Sequence, residues 1–160
     1  MKKATVICRL IAAASLAILV PPAMTQSTDI AVIVNPGNPV GNLSTAELRK
    51  IFAGEKRSWP GGNPIKLVVR SPGCHERMSL LRLLGMSESD YKQYWKAQIF
   101  RGEADAEPMT LPSFGMVKEA VTALSGAIGL VEAQSIRPEM YMKVIKVDGH
   151  LPGDAGYPLH

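Results

Sequence analysis

Ile30-Ala31-Val32-Ile33-Val34 runs into Asn35-Pro36-Gly37-Asn38-Pro39 and then Leu43-Ser44-Thr45-Ala46-Glu47-Leu48, a strand, a turn and a helix in succession. The first run is apolar at every position and rich in β-branched side chains, which predicts a strand buried on both faces. The Asn-Pro-Gly-Asn-Pro run ends it with turn residues. A helix starts next: Ser44 can cap it, Glu47 can complete a capping box, and Leu43 can staple onto Leu48. Leu48, Ile51 and Phe52 supply its apolar face, and Gly54 closes it.

The same alternation continues downstream. Trp59-Pro60-Gly61-Gly62-Asn63-Pro64 reads as a loop, in which Trp59 either packs as an anchor, the favoured reading, or lines a cleft, and Ile65 to Arg70 reads as a second strand. Ser71-Pro72-Gly73 turns into a helix from about Cys74 to Leu84, stopped by Gly85. Met86-Ser87-Glu88-Ser89-Asp90-Tyr91 repeats the staple and cap, opening a helix whose Tyr91, Tyr94 and Trp95 share one face, a spacing that favours core packing over a stacking platform. Glu103 to Pro112 reads as a polar loop and Phe114 to Leu124 as a helix. Ala127 to Val131 and Met142 to Val147 read as the remaining strands. Strands alternating with helices predict an α/β domain with a mainly parallel sheet and helices on both faces.

Upstream, residues 1–27 have the pattern of a secretory leader. Lys2 and Lys3 provide the charged start, Val6 to Val20 a mostly apolar stretch, and Pro21-Pro22 and small residues the exit. The apolar stretch beyond Arg9 falls short of the roughly 20 residues that a membrane span needs. The expected organisation is a leader over 1–27, one domain over 28–148 and an irregular tail over 149–160 running on the surface. Export places the domain in the periplasm. Of the 18 basic residues, Lys2, Lys3 and Arg9 leave with the leader, and no acid precedes Asp29, so the formal charge of +4 falls to about +1. A near-neutral domain without a basic run has no electrostatic reason to bind nucleic acid. At 46% hydrophobic residues the chain is too apolar for disorder, and without the leader Cys74 has no partner for a disulfide.

The order of these motifs resembles a known family. Val32-Ile33-Val34-Asn35-Pro36-Gly37-Asn38-Pro39, Leu48-Arg49-Lys50-Ile51-Phe52-Ala53-Gly54, Trp59-Pro60, Val69-Arg70, Phe100-Arg101-Gly102 and Gly126-Ala127-Ile128-Gly129-Leu130-Val131 succeed one another as in phosphate ABC transporter substrate-binding proteins, and most closely their short relatives. The resemblance covers roughly residues 30–147. It implies a type II periplasmic-binding-protein lobe, similar to the second of the two lobes between which full-length members hold phosphate. Half of that ligand shell is then absent. The partners implied are inorganic phosphate or another oxyanion, with a membrane permease or envelope protein, and the lobe can also pair with itself.

The turn from Arg70 to Arg77 is the candidate site. A helix start after a strand presents free N–H groups and the positive end of the helix dipole, a setting for anions. Arg70 can give two hydrogen bonds to an oxyanion, Ser71 offers a hydroxyl, Gly73 lets the backbone approach, and the N–H groups of Cys74 and His75 complete the set. Full-length members carry Ser-Gly-Thr where Cys74, His75 and Glu76 stand, so the resemblance carries over Arg70 alone. Glu76 opposes an anion, and a capped helix start that binds nothing is the competing reading.

Cys74 and His75 are adjacent in sequence and do not face each other on a helix, which argues against a nucleophile pair. His75, His150 and His160 lack metal-ligand spacing. No paired acid and base, triad or cofactor loop is evident, so neither an enzyme nor a cofactor is expected. Two function classes remain: a weak oxyanion-binding lobe, and a ligand-free interaction module of the cell envelope.

Overall fold

The structure, a computed structural model, describes residues 28–160. The leader expected over residues 1–27 lies outside the described residues. Ten main elements follow in chain order: β1 (Ile30–Val34), β2 (Asn42–Leu43), α1 (Thr45–Phe52), β3 (Lys66–Arg70), α2 (His75–Leu84), α3 (Glu88–Phe100), β4 (Met109–Leu111), α4 (Phe114–Ala123), β5 (Ala127–Glu132) and β6 (Lys143–Val147). The strands form one sheet in the order β2-β6-β1-β5-β3-β4.

Pleating sends alternate side chains to opposite faces, and the core divides accordingly. Ile30, Val32, Val34 and Val69 join Leu48, Ile51, Phe52, Leu80, Tyr91 and Trp95 under α1, α2 and α3. Ala31, Ile33 and Val68 join Val117 and Val121 under α4. Gly129 lets α4 lie close, because a Cβ there would stand 3.1 Å from Val121 and 3.2 Å from Val117. The expected helices on both faces of a mostly parallel sheet are present.

The helix signals act as their residues predict. Ser44 and Glu47 form a reciprocal capping box at α1, and Ser87 and Asp90 form another at α3. Gly85 ends α2 in the left-handed conformation, φ 68°. Trp59 is a buried anchor: its Nε1 donates to Gly126 O at 2.9 Å. Asn35 Nδ2 donates to Val121 O and Thr122 O at the end of α4. Motif residues far apart in sequence therefore lock one another in place.

Three findings differ from the sequence expectations. β1 runs antiparallel to both its neighbours, β5 and β6, whereas β3 is parallel to β4 and β5 and β2 is parallel to β6. Apolarity on both faces records burial and is silent on direction. Second, the polar stretch expected as a loop contains β4, which pairs with Val68–Arg70. Met109 and Thr110 are exposed, so this edge strand carries no alternating pattern. Third, the irregular tail seats in the core instead of running over the surface. Tyr157 and Leu159 are buried, Tyr157 OH donates to Ile30 O at 2.7 Å, and Ile30 N–H donates to Leu159 O at 3.0 Å.

Candidate functional site

β3, β4 and β5 are mutually parallel, so their carboxyl ends open on one side of the sheet. In open α/β sheets, ligands bind at that side. Arg70 closes β3, and the turn Ser71-Pro72-Gly73 brings the chain to Cys74, which caps α2 through its backbone but gives no side-chain cap bond. Gly73 takes φ 92°, a conformation open to glycine and strained for other residues. Ser71 N–H donates to Leu111 O at 3.1 Å, tying the turn to β4. α4 starts just beyond β4, capped by Ser113, and Glu132 ends β5. Two helix N-termini therefore belong to the same edge.

The candidate residues meet there, but Arg70 already has an anion. Its Nε lies 3.2 Å from Glu76 Oε1, with side-chain exposures of 15% for Arg70 and 5% for Glu76. The contact is a charge pair without hydrogen-bond alignment, for Nε and Nη1 of Arg70 are buried with no hydrogen-bond partner. Glu76 lies in the first turn of α2, where the helix dipole favours a carboxylate. The sequence marks Glu76 as repelling an incoming anion; the fold uses it as the counter-charge. The signal was an acid at the position where the resembled family has a hydroxyl.

His75 Nδ1 stands 3.7 Å from Glu132 Oε1, so its side chain turns to β5. Cys74 Sγ donates to Ser71 O at 3.2 Å. Burial is the main cause holding the Cys74 thiol above its ordinary pKa, and contact with Glu76 adds to it.

Sequence reasoning missed a second charged cluster beside this one. Arg77 gives Glu88 two hydrogen bonds, Nε at 3.0 Å and Nη2 at 2.8 Å, and its guanidinium lies 4.1 Å from the Tyr91 ring centroid. The hydrogen bonds from Arg77 hold the Glu88 carboxyl below its ordinary pKa. Burial pushes Tyr91 up to about 12. This cluster fastens α2 to α3 behind the site. Nothing local in the sequence pairs residues eleven positions apart on two helices.

Residues 25–148 match the family described as PBP superfamily domain. Among solved structures, the fold is similar to an ABC-type phosphate transport receptor from Vibrio cholerae, at 24% identity and TM-score 0.60, over 78% of this chain and 48% of that one. It is similar to a Clostridium perfringens structure described as a phosphate ABC transporter substrate-binding protein with bound phosphate, at 22% identity and TM-score 0.61, over 78% of this chain and 46% of that one. PstS from Borrelia burgdorferi gives 20% identity and TM-score 0.57, over 78% of this chain and 49% of that one. At these identities the likeness establishes the fold. The matched region spans less than half the length of each of these structures.

Proposed function

Because the chain belongs to the PBP superfamily, we propose that it is an exported solute-binding-like lobe whose oxyanion site is occupied by its own carboxylate. The Arg70–Glu76 pair at the start of α2 carries this reading. Phosphate or a similar oxyanion must displace Glu76 from Arg70 to bind at the N–H groups of Gly73, Cys74 and His75. The competition predicts a Kd around or above about 1 mM, equivalent to only about −4 kcal/mol. Phosphate as the family ligand is supported by what the similar structures are said to bind. The periplasm is supported by the leader pattern of residues 1–27, and among the described residues no helix is long and apolar enough to cross a membrane. The exported protein should begin between about Met24 and Asp29.

The same pair favours a second reading, in which the satisfied arginine makes the lobe a ligand-free docking module for a permease or envelope protein. Backbone amide shifts during phosphate and sulfate titrations separate the two. Binding requires saturable shifts confined to residues 70–77, lost in Arg70→Ala and strengthened about tenfold in Glu76→Thr. Absence of shifts at tens of millimolar anion in wild type and in Glu76→Thr rejects the anion site and leaves the docking module.

A further inference from the structure

At the end of β3 away from Arg70 lies a groove of about 460 Å³, a size that suits a small-molecule ligand. Ile51, Leu67 and Trp95 give it an apolar lining. Two stretches of chain make its walls: residues 54–57 with 64–68, and residues 103–109.

The walls carry opposite charge. The first holds Lys56, Arg57 and Lys66, and the second holds Glu103, Asp105 and Glu107. Lys56 and Glu103 are neutralised by residues that do not line the groove: Lys56 pairs with Glu47 at 3.5 Å and Glu103 with Arg101 at 3.0 Å. Arg57, Lys66, Asp105 and Glu107 have no ion-pair partner among the described residues. Unlike charges therefore line one groove without meeting across it.

The basic wall also offers a main-chain donor. N–H groups alternate in direction along a strand. Lys66 N–H donates towards β5, to Gly126 O at 3.0 Å. Leu67 N–H points to the opposite side, where the β4 ladder begins only at Val68↔Met109, and it has no acceptor among the described residues. Arg57 is held beside the start of β3, because Ile65 N–H donates to Arg57 O at 2.8 Å. A free N–H on a wall with two unpaired cations is a setting for a carboxylate.

We propose that this groove binds a small zwitterion of amino-acid type. Its carboxylate takes the Leu67 N–H and faces Lys66 and Arg57, its ammonium faces Asp105 and Glu107, and an apolar side chain covers Ile51 and Trp95. A plain anion meets the acidic wall, a plain cation meets the basic wall, and a neutral ligand answers neither. Discrimination against each rests on the wall that repels it. The site is separate from Arg70, so it stands whether or not the lobe binds phosphate.

The probe is L-phenylalanine, titrated into the exported protein at fixed ionic strength and followed by backbone amide and indole shifts. Saturable shifts at Lys66, Leu67 and Glu107 and at the Trp95 indole are expected, with residues 70–77 unmoved. Phenylalaninamide, which lacks the carboxylate, and N-acetylphenylalanine, which lacks the ammonium, should each bind at least about fivefold more weakly. Variants at exposed positions should give a crossed pattern. Lys66→Gln should weaken phenylalanine about threefold or more without weakening phenylalaninamide. Asp105→Asn with Glu107→Gln should do the same to phenylalanine without weakening N-acetylphenylalanine. Equal binding of either single-charge analogue overturns the proposal, because the groove then reads one charge only. Losses that fail to cross, with every ligand weakened alike, also overturn it by assigning these side chains a structural part. Absence of saturable shifts at tens of millimolar phenylalanine overturns it outright.

Discussion

Replacing Glu76 by Gln tests the charge pair at the start of α2 directly, because the side chain keeps its shape and loses its charge. Arg70 then retains a guanidinium that is only 15% exposed, with two nitrogens already lacking hydrogen-bond partners. Removing one member of a buried pair typically costs about 3–5 kcal/mol. The partial exposure of Arg70 and the amide oxygen that Gln still offers place this case lower, at about 2–3 kcal/mol. The vacated counter-charge should be replaceable from solution. At 10 mM phosphate, a wild-type Kd of about 1 mM stabilises by about 1.4 kcal/mol, and a tenfold tighter variant by about 2.7 kcal/mol. The extra 1.3 kcal/mol or so should raise the melting midpoint of Glu76→Gln by about 4–8 °C beyond the wild-type response. Thermal melts with phosphate against chloride at matched ionic strength measure this, and the Arg70→Ala/Glu76→Gln double variant supplies the general salt effect on folding. A single variant within about 0.5 kcal/mol of wild type, with the same phosphate response, would refute the idea that Glu76 serves as the internal anion.

Leu48→Ala removes a fully buried side chain and should cost about 2–5 kcal/mol in denaturant melts, with no change in anion response. Gly126→Ala should cost roughly 2–4 kcal/mol, since the residue sits at φ 79° and its Cβ would stand 2.0 Å from Pro64 O; a neutral result in the same melts would contradict the geometry. Glu88 has a folded pKa below its ordinary 4.5, so the stability it contributes is present above that value and is lost as pH falls through the lower, folded value. Glu88→Gln should therefore flatten the acid limb of the stability curve below about pH 4.5, read by urea midpoints at each pH. Tyr157→Phe deletes the bond to Ile30 O and should cost about 1–2 kcal/mol, with earlier proteolysis of the tail as the second readout.

Much of the architecture follows from signals within a few residues of one another. Uniform burial of Ile30–Val34, the Ser44–Glu47 and Ser87–Asp90 caps and the stop at Gly85 are local events, so their residue patterns predict them. The candidate turn was legible for the same reason: Arg70, Ser71, Gly73, Cys74 and His75 are contiguous and sit between a strand and a helix. What they do was not legible. The chemistry there depends on how the turn orients Arg70 onto Glu76 and His75 onto Glu132.

The α/β class, the helix boundaries and the position of the candidate turn follow from local residue patterns, because capping, turn chemistry and apolar periodicity act over a few residues. The antiparallel course of β1, the edge pairing of β4, the burial of Tyr157 and Leu159, and the occupation of Arg70 by Glu76 emerge with the assembled fold. Strand direction and edge pairing depend on hydrogen bonds between segments distant in sequence. The tail and the charge pair depend on which apolar surface and which counter-charge the finished sheet leaves within reach.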